Sequence, residues 1–512
     1  MLEYPSVERS TPENYLRANR NTWFLAAAGL ITFLTLAIGY SLTRQPWWDE
    51  GLLADPAINF RNFGHLGSTL MDPQGFLSWP GVHQYTYWQF PLYLIALGAW
   101  FHLGPVNVVW VRLFSVMWAC VYVSCWFVMV RRLSRNETLG LLIAAVVALD
   151  YAVITAASDG RMEMMCVGLG QLGLAYFVCN REKNWSRAIL VAACCGATAV
   201  FCHPLGAICT MWIAAVVLLN WRDIRWKGIA LATLPYLIGL VLYAAYVMQA
   251  PQIFAAQGRA AYLYRVHEGH ALLGTIVRDI YVRYWHLYYE GLTGLNRLKG
   301  ASLVFAVLGT VLLALNQKWR REPLGRTLLL LALISYVGVA VLDNQGHPVY
   351  FIYAMPVMSA CGALWAYVQW QRGGFLRLAA SGLLLAAALF ASIGGFGIKI
   401  LQNGYKRLYM PAVDAVRAHL PPHGLVMGGS ELGFALGFNE HLVDDRFLGC
   451  LSGKTADVFV ENEYYGGSGP VWDQSRQLLR SQYRLVFENS AYRVYARNNG
   501  APGLSAPAAT TH

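Results

Sequence analysis

The stretch RQPWWDEGLLADPAINF, residues 44–60, decides how this chain is read. It follows directly on the first long apolar run, 22–42, and sets two tryptophans against two adjacent carboxylates, Asp49 and Glu50. An exposed helix end explains the pair simply, because aromatic side chains gather where a helix leaves a bilayer. A working acid cluster at the membrane boundary explains it too, because ionisable groups near the hydrocarbon are expensive and are kept where they serve a function. The surrounding sequence separates these readings.

The chain has 512 residues, of which 56% are hydrophobic and 13% charged, and its mean hydropathy is +0.40. A soluble chain carries about 25% charged residues, so the composition describes a polytopic membrane protein. The first twenty residues are too polar and too long for a cleaved signal peptide, and the first helix reads as a retained signal-anchor. A spanning helix needs about 20 mostly apolar residues. Runs that approach this lie near 22–42, 107–130, 138–157, 162–179, 187–202, 205–220, 228–249, 301–316, 327–342, 349–370 and 376–398. About eleven spans are therefore expected, with the fifth and sixth short and separated by CHPLG, and with 90–103 as an interfacial or re-entrant piece.

The net charge of +11 is a matter of topology and not of nucleic acid, because Lys and Arg sit in short loops between apolar runs. RRLSR (131–135), REKNWSR (181–187), WRDIRWK (221–227), KWRREPLGR (318–326) and QRGGFLR (371–377) fall on one side with the N-terminal tail. By the positive-inside rule that side is cytoplasmic. The loops 43–106 and 250–300, the turn near 158–162, DNQGHP (343–348) and everything after about 399 fall outside, as an odd span count requires. The expected layout is a cytoplasmic tail 1–21, a membrane domain 22–398, a small α/β extracytoplasmic domain 399–498 and a disordered tail 499–512, in the cell inner (plasma) membrane. Nine of the ten cysteines lie in or beside apolar runs, which is neither a disulfide framework nor a zinc ligand spacing.

Two features raise the weight of the acid pair. The loop after it, STLMDPQGFLSWPGVHQYTYWQFPLY (68–93), is dense in aromatic and polar groups. A second acidic cluster, Asp159, Arg161 and Glu163, stands at the outer turn before the fourth span, with helix capping and dipole pairing as the alternative explanation. His203 in CHPLG reads as a packed turn residue.

With these residues in hand, the chain resembles the GT-C class of membrane glycosyltransferases. The resemblance lies in the acidic pair after the first span, Pro91-Leu92-Tyr93, the acidic turn before the fourth span, and His347-Pro348-x-Tyr350 with Pro356. It covers roughly residues 20–400 and points to the bacterial branch related to protein O-mannosyltransferases and the lipid A aminoarabinose transferase. The resemblance implies a sugar donor on polyprenyl phosphate and a lipid, glycan or protein acceptor at the outer face. It implies Asp49 as the acid beside the acceptor hydroxyl, with Glu50 orienting it or binding sugar hydroxyls, Asp159 and Glu163 lining the same cavity, and Arg161 pairing one of them. The departing phosphate needs donors, and Arg suits it by its planar fork. Arg259, Arg265, Arg278, Arg283, His267, His270 and His286 in the loop 250–300 are the candidates, Arg265 and Arg283 foremost, joined by His347 and Tyr350; an interfacial segment touching anionic lipid headgroups is the alternative for that loop.

This sequence departs from the aminoarabinose branch at 88–93, where the branch has a Lys and this chain has Gln89, ahead of Tyr93. That departure argues against aminoarabinose as the sugar. Trp79, His83, Tyr87 and Trp88 suit either sugar stacking or an anchoring belt. The four acids offer oxygen ligands of the kind Mg²⁺ or Mn²⁺ takes, but the resembled branch does not in general depend on a metal, and no cofactor is expected. The competing functions are a polytopic transporter, which would place ionisable sites at mid-membrane in paired repeats, and a non-catalytic envelope-assembly protein.

Overall fold

The computed structural model describes residues 17–75, 79–220, 226–265, 272–290, 299–343, 346–462 and 466–498, with backbone alone at 262–265, 272–273 and 286–290. The membrane part is helical. Its elements are α1 (Arg20–Thr43), α2 (Trp48–Phe63), α3 (Pro91–Trp100), α4 (Val108–Ser134), α5 (Glu137–Ala148), α6 (Tyr151–Ala157), α7 (Glu163–Asn180), α8 (Trp185–Cys202), α9 (Gly206–Leu218), α10 (Trp226–Val247), α11 (Pro251–Arg265), α12 (Leu272–Asp279), α13 (Lys299–Leu315), α14 (Gln317–Arg321), α15 (Pro323–Leu342), α16 (Phe351–Arg372) and α17 (Phe375–Gln402). A π-helical segment, Ile280–Glu290, continues α12.

Each of the eleven apolar runs coincides with a helix, but they are not equally long. Among the described residues seven helices are long and apolar enough to cross a membrane, or eight if the bent pair α5–α6, angled by 63°, counts as one span. The helices α9 and α13 are shorter, and the run 90–103 is the ten-residue α3. The chain is a multi-pass membrane protein.

Side-chain caps explain where several helices begin. Asn19, Asn107, Asn136 and Asn184 accept from backbone N–H groups of the first turns of α1, α4, α5 and α8. In hydrocarbon such orphan donors have no water to turn to. Pro91 and Pro323 open α3 and α15, where a missing N–H costs nothing. Helix α16 is the buried axis of the bundle, and a Cβ on Gly309 of α13 would lie 2.4 Å from the Gly362 Cα of α16. The bare glycines thus let two backbones approach in a medium where close packing drives association.

The C-terminal part holds α18 (Met410–His419), β1 (Val426–Met427), α19 (Gly433–Leu436), β2 (Leu442–Val443), β3 (Val458–Asn462), α20 (Pro470–Gln482), β4 (Tyr483–Glu488) and β5 (Tyr492–Arg497). The sheet order is β2-β1-β3-β5-β4, with β1 parallel to β2 and β3, and β5 antiparallel to β3 and β4. This is the small mixed domain expected after 399; β3, which no alternation in the sequence had marked, runs through its middle.

The domain is fastened to α2 and the loop after it. Trp48 Nε1 donates to Asp444, the Asp444 N–H donates to the Leu70 carbonyl at 2.8 Å, and Lys454 pairs with Asp72 at 2.9 Å. Phe434 and Phe438 pack against the bundle core. Glu431 lies buried at this seam, its Oε1 accepting from Asn462 at 2.8 Å. Burial pushes its carboxyl up to about 7, against the opposing bond from Asn462.

Two outcomes are expected. A Cβ on Gly51 of α2 would lie 2.3 Å from the Ser430 carbonyl group, and a backbone atom cannot swing aside, so Gly51→Ala should loosen the C-terminal domain at about 1–3 kcal/mol. Limited trypsin digestion in detergent should then cut faster at Lys406 and Arg407, whereas Gly397→Ala, with no atom within 4 Å of its Cβ, should digest like the wild type. The folded state also holds the Glu431 proton more tightly than an unfolded carboxyl titrating near 4.5. Stability from this group is therefore full below that pH and is lost as pH rises through about 7. Glu431→Gln should flatten that part of the melting-temperature profile between pH 4.5 and 8.

Candidate active site

The site begins with a helix end. Where α1 stops, the carbonyls of Ser41, Arg44 and Gln45 lose their helical partners, and Arg112 of α4 supplies them. Its Nη1 donates to Ser41 and Arg44 at 2.8 and 2.9 Å, and its Nη2 to Gln45 at 3.1 Å. The same guanidinium forks onto Glu50, with Nε to Oε1 at 2.7 Å and Nη2 to Oε2 at 2.6 Å. Glu50 also accepts from the Trp47 N–H at 2.8 Å and from the Gly160 N–H at 2.9 Å. Both side chains are 0% exposed. One buried ion pair therefore ties the end of α1, the start of α2, α4 and the turn before α7 at a single point.

That tie brings the two acidic clusters together. Asp49, the neighbour of Glu50, contacts Arg161 Nη1. Arg161 turns its Nη2 and Nε to Glu163, at 2.6 and about 3.1 Å, and its guanidinium lies 4.8 Å from the Trp47 ring centroid. Asp159 faces Arg44 at 3.2 Å. Burial pushes the Asp159 carboxyl up to about 6, with Glu50 and Glu163 adding repulsion and Arg44 opposing. Exposure separates the four acids: Asp49 retains 25%, while Glu50, Glu163 and Asp159 retain 0, 3 and 5%. Only Asp49 is open enough to meet a ligand directly.

Aromatic and imidazole groups extend the cluster. The rings of His203 and Tyr350 are 5.6 Å apart, and those of Tyr350 and His347 5.7 Å. His203 acts electrostatically on Glu163, and Tyr350 on Arg161. The buried hydroxyl of Tyr93 has no hydrogen-bond partner among the described residues. Tyr93 stands within electrostatic reach of Glu163, Glu50 and Asp159. A buried hydroxyl left unpaired is costly, so Tyr93 suits a bound polar group.

The basic residues expected to hold a phosphate are placed differently. Arg283 is fully buried and spends its donors on Asp279, Asp343 and the His347 carbonyl, at 2.7–2.9 Å. It clamps the segment 280–290 to the loop before α16 and does not present a free fork. His347 leans on Asp343, Nδ1 to Oδ1 at 2.8 Å, with its ring half exposed. Arg259 is exposed on α11; the side chain of Arg265, like His267 and His270, lies outside the described residues. Gln89 is buried, with Nε2 donating to the Cys202 carbonyl at 3.4 Å beside the His203 turn.

Sequence reasoning passed over two residues. Arg112 is a lone Arg inside the run 107–130, and an intramembrane charge is itself a signal of function. Gln257 is 0% exposed and accepts from the Tyr87 and Trp88 N–H groups at 2.7 and 3.1 Å while donating to Pro80 and Tyr85 at 2.9 and 2.8 Å. It pins the aromatic loop 79–90 to α11, and nothing in a single Gln announces this. Trp79 packs there with Leu52, Met71 and Val82. Among the described residues no group of three or more His, Cys, Asp and Glu side chains is disposed to hold a metal ion; the acids of the site face arginines instead.

No protein-family model matches the chain, and no curated protein is detectably similar to it in sequence. Solved structures are similar. ArnT from Cupriavidus metallidurans bound to undecaprenyl phosphate superposes with a TM-score of 0.58 at 12% identity, covering 96% of this chain and 100% of that one. The same protein in the apo state gives 0.57 at 13%, covering 93 and 98%. The archaeal oligosaccharyltransferase AglB from Archaeoglobus fulgidus, in complex with an inhibitory peptide and a dolichol-phosphate, gives 0.52 at 13%, covering 86 and 70%. At this identity the likeness is one of fold: the chain has the GT-C membrane glycosyltransferase fold.

Removing one partner of a buried pair strands the other charge, at about 3–5 kcal/mol. Glu50→Gln and Arg112→Met should each lower the melting temperature in detergent sharply. The double variant should lose less than the two single losses added; strict additivity would mean that the two side chains are not coupled.

Proposed function

We propose that this protein is an integral-membrane glycosyltransferase. It moves a sugar from a polyprenyl-phosphate-linked donor to a lipid, glycan or protein acceptor at the membrane face that carries the C-terminal domain. The charge bias of the loops supports a non-cytoplasmic location for that face, and the inner membrane is the proposed location. One observation carries the reading: in a GT-C fold, the one acid of the cluster that keeps substantial exposure, Asp49, stands at the start of α2 beside the turn holding Asp159, Arg161 and Glu163.

The chemistry is substitution at the anomeric carbon. The acceptor oxygen bonds to that carbon, the bond from carbon to phosphate oxygen breaks, and the acceptor proton passes to a carboxylate. Positive charge builds on the sugar ring and negative charge on the departing polyprenyl phosphate, so acids and cations must flank the reacting centre. Asp49 is the proposed acid at the acceptor hydroxyl. Arg161 holds it in place, which favours orientation of the hydroxyl alongside proton transfer, since a carboxylate paired with arginine is the weaker base. Glu50 acts through position, and Asp159, Glu163, Tyr93, Gln89 and Tyr350 are proposed to line the sugar's surroundings. Arg259 and Arg265 on α11 are the proposed phosphate contacts, with Arg283 and His347 shaping the adjoining loop. The similar structures support the donor class, one holding undecaprenyl phosphate and another a dolichol-phosphate.

The test is deletion of the gene followed by mass spectrometry of envelope lipids and glycans. A sugar should disappear, return with the wild-type gene, and stay absent with Asp49→Asn at equal expression, since loss of general-base catalysis costs about 10²–10⁴-fold. Full restoration by Asp49→Asn would remove Asp49 from the mechanism.

A further inference from the structure

One buried carboxylate takes no part in the site described above. Asp150 stands at the break between α5 and α6, where the span bends by 63°. It is 5% exposed, and among the described residues no cation pairs with it. Counted from Glu137, beside the basic loop 131–135, the 12 residues of α5 rise about 18 Å. Asp150 therefore lies inside a hydrocarbon layer about 30 Å thick. A carboxylate is expensive there and is retained for a function.

Its two oxygens reach in different directions. Oδ1 accepts from the Ala152 N–H at 2.8 Å and so caps α6. Oδ2 accepts from the Ser359 hydroxyl of α16 at 2.6 Å. Capping needs only the first bond, and α1, α4, α5 and α8 are capped by uncharged Asn side chains. The second bond does something else. It fastens the break in the span to α16, the axis of the bundle, through a serine that is itself 3% exposed.

From that point α6 runs straight into the acidic turn. It has seven residues and packs against α1, α4 and α16. It ends at Ser158, whose hydroxyl donates to the Ala37 carbonyl of α1 at 3.0 Å. Asp159 follows, then the Gly160 N–H that donates to Glu50 and the Arg161 that contacts Asp49. The arm is short and pivots at one end. From Asp150 to Asp159 it measures about 13 Å, so a tilt of about 10° at the break moves the turn by about 2 Å. A misplacement of about 1 Å can cost a reaction about 10²-fold.

We propose that Asp150 and Ser359 are positioning residues: the bond between them fixes the angle of α6 and thereby sets Asp159, Gly160 and Arg161 against Glu50 and Asp49. They act through the turn and not on the substrate. That the turn so placed serves sugar transfer rests on the glycosyltransferase reading above; the mechanical role does not.

Full-length protein in a neutral detergent is compared as wild type, Asp150→Ala, Asp150→Asn, Ser359→Ala and Leu328→Ala. Leu328, a fully buried side chain of α15, is the control for lost stability. Amide hydrogen exchange over 151–163 should quicken at least tenfold in Asp150→Ala and Ser359→Ala. It should stay within threefold of the wild type in Asp150→Asn, whose amide still caps α6 and bonds to Ser359. Leu328→Ala should lower the melting temperature without quickening this segment. In cells lacking the gene, at equal expression, Asp150→Ala and Ser359→Ala should restore at least tenfold less of the missing envelope sugar, whereas Asp150→Asn and Leu328→Ala restore it. Undecaprenyl phosphate, titrated calorimetrically, should bind within twofold of the wild type throughout. If Asp150→Ala does not fold, Ser359→Ala, which keeps the cap, decides. The proposal is overturned if exchange over 151–163 is unchanged, or if it quickens and the sugar still returns in full. It is also overturned if Leu328→Ala loses as much sugar as Ser359→Ala, or if undecaprenyl phosphate binding falls in step with transfer. Exchange is read without turnover, so the mechanical role is judged even if deleting the gene removes no sugar.

Discussion

The arrangement depends on one buried ion pair. Arg112 and Glu50 are withdrawn entirely from solvent, and an ion pair in that position stabilises only if its remaining donors and acceptors are also satisfied. Here they are met by three carbonyls at the end of α1, the Trp47 N–H and the Gly160 N–H. The pair therefore does more than offset its own desolvation. It converges four segments distant in sequence, and in doing so it sets Asp49 beside the 159–163 turn. Adjacent acids in the chain acquire opposite characters: Glu50 is locked into the scaffold, and Asp49, one residue earlier, remains open at the rim.

Two charge patterns then stand side by side at the same end of the bundle. Around Asp49 the acids are interleaved with Arg44 and Arg161, so no carboxylate stands far from a guanidinium. Beside them, Arg44, Lys399 and Arg407 line a cavity shared with the C-terminal domain, with Glu431 as the one carboxylate among its described lining residues. A transfer that develops positive charge on a sugar and negative charge on a phosphate needs surroundings of both kinds. The seam between the two domains is held by Gly51 against Ser430, by Trp48 on Asp444 and by the Lys454–Asp72 pair. The C-terminal domain is thereby a wall of the cavity and not an appendage.

Much of this was legible in the order of residues. The apolar runs located the helices because hydrocarbon demands satisfied backbone and apolar side chains over a fixed thickness. The polar stretch after 399 announced a separate domain, though β3 escaped notice. The acid pair and the acidic turn stood out as charges at a membrane boundary. The phosphate contacts were less legible: a basic loop can touch a ligand, a headgroup or its own acids, and Arg283 is spent on Asp279 and Asp343.

By itself the sequence determined that this chain crosses a membrane many times, that it ends in a small α/β domain, and that carboxylates recur where its helices meet one face. These follow from local composition and period, which act over a few turns of helix. Only the tertiary structure decided which carboxylate is buried and which is open, that Arg112 and Gln257 are the fastenings, and that cations of α17 and the segment after it meet the C-terminal domain around one cavity. Such features depend on pairings across tens to hundreds of residues, and a charged side chain has no fixed role until the fold has chosen its partner.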